Sequence, residues 1–217
     1  MATPIPENRA AFTLAEILAA TSGELVRAGA DRVTAVSTDT RAITEGACFV
    51  ALRGEVHDGH AHLAAAFGRG AALAIVDRDV RAKNGLAIVR VADTLTALGD
   101  LARAHARRWR AASGDRRVVV GITGSAGKTT TRVAVSALLA RLFPGEIHGT
   151  SGNLNNRVGV PMVLFGLEAR HRVAVVEMGM NLPGEIAELC RVAEPEVGVV
   201  TLIAAAHTEG VGSIEGV

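Results

Sequence analysis

Between residues 121 and 130 the chain reads Gly121-Ile122-Thr123-Gly124-Ser125-Ala126-Gly127-Lys128-Thr129-Thr130. Glycines at this density let backbone N–H groups approach an anion with no Cβ in the way, and they take positive φ at little cost. Lys128 adds a full positive charge suited to β- and γ-phosphates, and the Thr129 hydroxyl is a hard oxygen ligand suited to Mg²⁺. The stretch predicts a phosphate-binding loop for MgATP, with Thr123 through Thr130 around the nucleotide. Its spacing is a variant, because the strict pattern G-x-x-x-x-G-K-[ST] has glycine where this chain has Ile122. A second observation supports the reading. The chain has 23 basic residues, yet its only lysines are Lys83 and Lys128. Where arginine is the default cation, a lysine after the loop glycine points to a need for a compact ammonium.

A strand and a helix must position such a loop. Arg117-Val118-Val119-Val120 is a short β-branched run just before it, and Val135, Leu138, Leu139 and Leu142 recur at helical spacing just after it. The helix N-terminus adds partial positive charge at the same place. From here the pattern of strand, loop and helix repeats. Ile147 to Thr150 leads into the polar run Asn153-Leu154-Asn155-Asn156, and Pro161 suits the first turn of a helix. Arg172 to Val176 is a buried strand ending in Glu177-Met178-Gly179-Met180-Asn181; a helix opens at Pro183-Gly184-Glu185 and stops at Pro195. Val197 to Ile203 is a further apolar strand that ends near His207. Continuous apolar strands alternating with helices predict a mostly parallel sheet with helices on both faces. Ligands of such sheets gather at the carboxyl ends of strands. The loop, Glu177 and His207 each follow a different strand. Glu177 and Thr129 offer oxygen to Mg²⁺, whereas imidazole is not a preferred ligand for it.

The first half reads as a small α/β domain of its own. Thr13-Leu14-Ala15-Glu16 is a capping box, with Leu14, Ile17 and Leu18 on one helical face and Gly23 as the stop. A short strand over Val33–Val36 runs into the polar Ser37-Thr38-Asp39-Thr40-Arg41. Cys48 to Leu52 is a buried strand, and the turn at His57-Asp58-Gly59-His60-Ala61-His62 opens a helix that ends near Gly68 and Gly70. Leu73–Val76 and Ala87–Val91 are further strands. Asp93 or Thr94 caps the next helix, striped by Leu95, Leu98, Leu101, Ala102, His105 and Trp109. Arg103, Arg107, Arg108 and Arg110 crowd its end, read as a solvated cationic end matched to the helix dipole. The domain expectation is an N-terminal domain over 1–92, a linker helix over 93–116 and a nucleotide-binding domain over 117–217.

Composition excludes several classes. Of 217 residues 49% are hydrophobic, enough for a core, and a net charge of +1 leaves no electrostatic footprint for nucleic acid. No apolar run approaches a membrane span. The N-terminus lacks a basic region followed by an apolar stretch, so no secretory signal is expected. Cys48 and Cys190 fit small buried groups in a reducing cytoplasm rather than a disulfide.

In order along the chain, several motifs resemble those of the Mur ligases of peptidoglycan synthesis. They are Ser37-Thr38-Asp39-Thr40-Arg41; Phe49 through Glu55 with Asp58-Gly59-His60; Thr123 through Thr130; Asn153 through Asn156 with Gly159-Val160-Pro161; Glu177 through Asn181 with Pro183 through Ile186; and Ala206-His207 with Gly212-Ser213. The Asn-rich and Glu-Met-Gly-Met-Asn motifs resemble the branch that joins D-alanyl-D-alanine to UDP-N-acetylmuramoyl-tripeptide. The resemblance implies that ATP phosphorylates the tripeptide carboxylate and that the dipeptide amine attacks the resulting acyl phosphate. It implies that Gly124, Gly127 and Lys128 hold phosphates, that Thr129, Glu177 and His207 serve Mg²⁺, and that Asn156 lies near the nucleotide. Lys128, Glu177 and His207 are then the expected catalytic residues. Ser37, Thr38, Asp39, Thr40, Arg41, Asp58, Gly59 and His60 would hold the UDP part of the acceptor, which disfavours a zinc site at His57, His60 and His62.

The family also has a C-terminal domain and a carbamylated lysine for which no counterpart is seen here. The expectation is therefore a fragment with an incomplete central sheet and little or no turnover. Competing readings are the sister ligase that adds the third residue to UDP-N-acetylmuramoyl-dipeptide, a folylpolyglutamate-synthase-like ligase, and a non-catalytic nucleotide-binding module. A GTPase or kinase is disfavoured by the loop spacing and by the lack of a base-reading Asn/Thr-Lys-x-Asp motif.

Overall fold

The computed structural model describes residues 4–54, 57–80, 85–112 and 114–204. The chain divides into two compact units, Pro4–Ala104 and His105 onward, with the boundary inside one helix.

The first unit holds β1 (Phe12–Thr13), α1 (Leu14–Thr21), β2 (Glu24–Arg27), β3 (Arg32–Val33), β4 (Val36–Ser37), β5 (Cys48–Val50), α2 (Leu63–Gly68), β6 (Leu73–Val76) and β7 (Ala87–Arg90). β4, β5, β6 and β7 pair in parallel and in chain order, with β2 added antiparallel on β7. These strands are buried apolar runs, as parallel strands between layers must be. Phe49, Ala74, Val76 and Ile88 pack against Leu63 and Ala66 of α2. The capping box forms: the Thr13 hydroxyl accepts from Glu16 N–H, and the Glu16 carboxylate accepts from Thr13 N–H at 2.7 Å.

Three local expectations change. The strand expected over 33–36 is two strands in different sheets, since β3 pairs with β1 while β4 pairs with β5. A break at Thr34–Ala35 redirects the chain, and period alone does not reveal such a break. The left-handed residue that ends α1 is Ser22, not Gly23. Gly23 is needed for room instead: a Cβ there would lie 2.6 Å from Val89 Cγ1. β2 is missed, because half of Glu-Leu-Val-Arg is charged; it is an exposed edge strand.

The boundary helix is α3 (Thr94–Ala111), started by Asp93, whose carboxylate accepts from Thr96 N–H at 2.6 Å. The second unit continues with β8 (Val118–Thr123), α4 (Lys128–Leu142), β9 (Ile147–Gly149), α5 (Gly159–Phe165), β10 (Val173–Glu177), α6 (Glu185–Ala193) and β11 (Val197–Val200). Its sheet is parallel throughout, in the order β11-β8-β10-β9. Val135 and Leu139 of α4 pack on Val120, Ile122 and Val175. Gly121 faces the other way, toward Pro195 just past α6, and α5 packs on α6 and β10.

The apolar stripe of α4 is only half used: Leu138 and Leu142 are 64% and 65% exposed. The apolar run after Pro195 is likewise not a buried strand. Among the described residues β11 is an edge strand with Val200 61% exposed, and an apolar run does not by itself say whether its strand is central. The arginines at the end of α3 are not simply solvated. Arg107 forks onto Glu194, while Arg110 meets Glu196 at 2.8 Å and the carbonyls of Ala193 and Glu194 at 2.7 and 2.8 Å. They cap the C-terminal end of α6, where carbonyls lack helical partners.

Candidate functional site

β8 delivers the loop. Gly124 follows the strand with φ 137°, and Gly127 has φ 82° at the start of α4. The N-cap residue of α4 is Gly127, which has no side chain to cap it, so the first N–H groups of the helix suit an anion. Lys128 Nζ turns back on the loop and donates to Gly124 O at 2.6 Å. The residues after β11 back the loop. Ser125 N–H donates to Leu202 O at 2.7 Å, the Ser125 hydroxyl donates to Ala204 O at 2.9 Å, and the Thr201 hydroxyl donates to Ala126 O at 2.6 Å. A Cβ on Gly124 would lie 2.3 Å from Thr201 Oγ1, so glycine is required there both for space and for φ.

β10 runs beside β8 in parallel, with Glu177 level with Ile122, and so brings Glu177 to the same end of the sheet as the loop. Its side chain is 3% exposed. Thr129 Oγ1 lies 3.2 and 3.0 Å from its two oxygens, Asn155 Nδ2 donates at 3.0 Å and Arg132 Nε at 3.2 Å. The Thr150 hydroxyl accepts from Glu177 N–H at 2.9 Å. Thr129 and Glu177 together offer one hydroxyl and one carboxylate, both hard oxygens. That set suits an ion that draws its other ligands from phosphate and water. Among the described residues no cluster of three or more His, Cys, Asp or Glu is placed to hold a metal by itself.

Thr123 through Thr130 and Glu177 therefore share one strand-end region, whereas Asn156 is occupied differently. Its Oδ1 accepts from the N–H groups of Val158 and Gly159 at 3.1 and 2.8 Å and caps α5, while Asn155 makes the contact to Glu177. His207, and with it Ala206, Gly212 and Ser213, lies outside the described residues, as does Glu55. Arg132 and Thr201 escaped the sequence reading. Arg132 lies three residues after Thr129 on a helix, so both side chains share a face, a signal that was there to be used.

The other candidate residues belong to the first unit. Ser37 ends β4, and Asp39 caps a short 3₁₀ turn over Thr40–Ala42 through Arg41 N–H at 2.8 Å. The Arg41 guanidinium forks onto the Asp39 carboxylate at 3.0 and 2.6 Å, which holds that carboxyl below its usual range. Asp58 opens a second 3₁₀ turn beyond β5. It accepts from His60 N–H and from the His60 ring at 3.0 and 2.7 Å and pairs with Arg78. These contacts, the His60 ring first, hold its carboxyl far below the usual range. The other ring nitrogen of His60 lies 3.1 Å from an Asp77 oxygen. Gly59 passes so close to Ala51 and Leu52 that a Cβ would lie 2.9 Å from their backbone. Ser37–Arg41, Asp58–His60 and Asp77–Arg78 thus follow the ends of three neighbouring parallel strands, β4, β5 and β6. Asp77 and Arg78 carried no motif and were missed.

Comparison with known proteins bears on both units. The family model described as Mur ligase family, catalytic domain, matches residues 32–106, and the one described as Mur ligase middle domain matches residues 122–217. The UDP-N-acetylmuramoyl-tripeptide–D-alanyl-D-alanine ligase of Escherichia coli (strain K12) is 41% identical over 206 residues, covering 94% of this chain and 43% of that protein. The crystal structure of MurF from Acinetobacter baumannii superposes with a TM-score of 0.85 at 34% identity, over 99% of this chain and 45% of the other. The MurF ligase from Thermotoga maritima in complex with ADP gives a TM-score of 0.72 at 31% identity, over 83% of this chain and 40% of the other. The chain spans less than half the length of these relatives. With both of its units matched in order by models of one family, and with solved members of that family superposing on its fold, the chain belongs to the Mur ligases.

Proposed function

We propose that this chain carries the acceptor-binding and ATP-binding parts of a cytoplasmic ATP-dependent ligase that joins D-alanyl-D-alanine to UDP-N-acetylmuramoyl-tripeptide. The observation that carries the reading is the meeting of the glycine loop, Lys128, Thr129 and Glu177 at adjacent ends of β8 and β10. In support, the E. coli relative is named for that reaction and the T. maritima structure holds ADP. The domain reading kept here is an acceptor domain over 1–92, the helix over 93–116 and an ATP domain from 117.

Bound Mg²⁺ would supply positive charge for the phosphates and the acyl-phosphate chemistry. The rest falls to the chain. Loop N–H groups from Gly124 to Lys128 and the start of α4 bind phosphate oxygens. Lys128 leaves the Gly124 carbonyl, which holds it 2.6 Å away, and turns its ammonium to the β/γ-phosphates. Thr129 and Glu177 would hold the ion. His207 is proposed as a further group serving it, and Asn156 as a nucleotide contact through the amide nitrogen its cap leaves over. In the first unit the exposed Arg41 side chain, 83% accessible, is the cation offered to a diphosphate, since the N–H groups of Arg41 and His60 are already taken by Asp39 and Asp58. Ser37, Thr38, Asp39, Thr40, Asp58, Gly59 and His60 shape that site.

The test is calorimetric titration with UDP-N-acetylmuramoyl-tripeptide, with the dipeptide form as comparator and Arg41→Ala as control. Preference for the tripeptide, weakened in the control, is expected. Preference for the dipeptide transfers the proposal to the sister ligase. Lys128→Ala is expected to weaken MgATP binding and leave the UDP-substrate alone; equal loss of both would overturn the division of labour.

A further inference from the structure

We infer that Arg132 is the resident counter-cation of Glu177 and sets how tightly the site takes a divalent ion. The inference rests on the ligase reading, because it assumes that the ion is held by Thr129 and Glu177.

Among the described residues Glu177 is a deeply buried acid, at 2% exposure. A carboxylate so far from water needs compensating charge and hydrogen bonds. Thr129 and Asn155 supply hydrogen bonds but no charge. Among the described residues the cation paired with it is Arg132, Nε to Oε2 at 3.2 Å, itself only 16% exposed at the side chain. Thr129 and Arg132 lie on one face of α4, so the hydroxyl and the guanidinium reach the same carboxylate from neighbouring turns. A divalent ion seated between Thr129 and Glu177 claims the same oxygens. Two cations then share one carboxylate in a partly dry site, where their repulsion is little screened.

Arg132 therefore does two opposed things. It holds the Glu177 carboxylate in place with an opposite charge before the ion arrives, and it weakens the grip on the ion afterwards. It is a positioning residue acting through Glu177, and it favours an ion that enters and leaves with the nucleotide over one that stays.

The experiment titrates Mn²⁺ into the full chain and follows the free-ion signal by electron paramagnetic resonance, with melting temperatures measured with and without Mg²⁺. Arg132→Gln is expected to bind Mn²⁺ roughly tenfold more tightly, from the loss of one like charge at close range. The same variant should melt lower without metal and recover with Mg²⁺ by more than the unmodified chain does. Arg132→Lys keeps the charge and the fold, and its Mn²⁺ affinity should stay within about twofold of the unmodified chain. Unchanged or weaker Mn²⁺ binding in Arg132→Gln overturns the inference, and so does tenfold tightening in Arg132→Lys. Glu177→Gln separates the two levels. If it binds Mn²⁺ as well as the unmodified chain, the ion is held elsewhere and the site reading itself fails. If it loses Mn²⁺ while Arg132→Gln is unaltered, only the role of Arg132 falls.

Discussion

His171 should make the second unit acid-sensitive well above the range where carboxylates titrate. It sits 3% exposed before β10, and its Nδ1 accepts from Glu168 N–H at 2.9 Å, which requires that nitrogen to be unprotonated. The ring lies 4.9 Å from that of His148, with Arg170 and Arg117 also nearby and only Glu168 opposing them. Burial first, then these cations, push its pKa down to about 4. His148 and His105 shift down as well, chiefly through burial. Each donates from Nε2 to a backbone carbonyl, Val163 O and Leu167 O.

The unfolded chain takes a proton near pH 6.5 that the folded chain refuses until about pH 4. Stability is thus fully present above pH 6.5, falls as pH drops through the interval, and levels off near 4. For His171 the linkage gives a loss of about 2 kcal/mol between pH 8 and pH 5, which solvent screening reduces to about 1 kcal/mol. Trp109, the single tryptophan, donates its ring N–H to the carbonyls of His171 and Glu168 at 3.1 Å, so its fluorescence reports unfolding at this spot. Urea unfolding followed by Trp109 should show stability falling from pH 8 to pH 5. His171→Asn, which keeps an acceptor near the Nδ1 position, should flatten that slope by about 1 kcal/mol across the window. Parallel pH profiles for the two proteins would refute the assignment.

Three further outcomes are expected. Gly127→Ala should cost about 1–2 kcal/mol from its φ of 82° alone, since the nearest atom to a Cβ is 3.8 Å away. Gly124→Ala should cost more and weaken ADP binding, because its Cβ would meet Thr201 and the Leu202 backbone; denaturant midpoints in the reverse order would contradict the loop geometry. Arg110→Ala should lose about 2 kcal/mol by stranding the last carbonyls of α6 and Glu196. Arg103→Ala, which gives up a 3.3 Å pair with Asp100, should lose under about 0.5 kcal/mol in the same unfolding assay. Alkylation followed by mass spectrometry should modify Cys190 well before Cys48, whose thiol is fully buried and shifted far up by that burial; equal rates would count against the packing of β5.

Much of this architecture is legible because its signals are local. The Thr13 box, the glycine loop between strand and helix, and the buried strands β5, β6, β7, β8 and β10 are all written within a few residues. The proximity of Thr129 to Glu177 is readable one step further, from the rule that parallel strands collect ligands at their carboxyl ends. What escaped depends on tertiary neighbours. An edge strand such as β2 need not alternate, and an apolar strand such as β11 does not declare that one side is uncovered. Among three asparagines, nothing local tells that Asn156 turns to cap α5 while Asn155 turns to Glu177. Asp77 and Arg78 become relevant only once β6 is laid beside β5.

The strand order of the second unit also governs how the chain is made. β8 lies inside its sheet, yet both neighbours, β10 and β11, are synthesised after it. At about 5–20 residues per second, residues 118–123 wait roughly 3–10 s on the ribosome before residues 173–177 emerge. During that time both edges of an apolar strand are open. In the first unit β4 to β7 pair in the order they are made, so this parallel core closes without such a delay, while the exposed edge strand β2 waits for β7. Holdase capture and loss to inclusion bodies should therefore track the interval between β8 and β10. Two variants of equal equilibrium stability can then differ severalfold in soluble yield if one of them translates that interval more slowly.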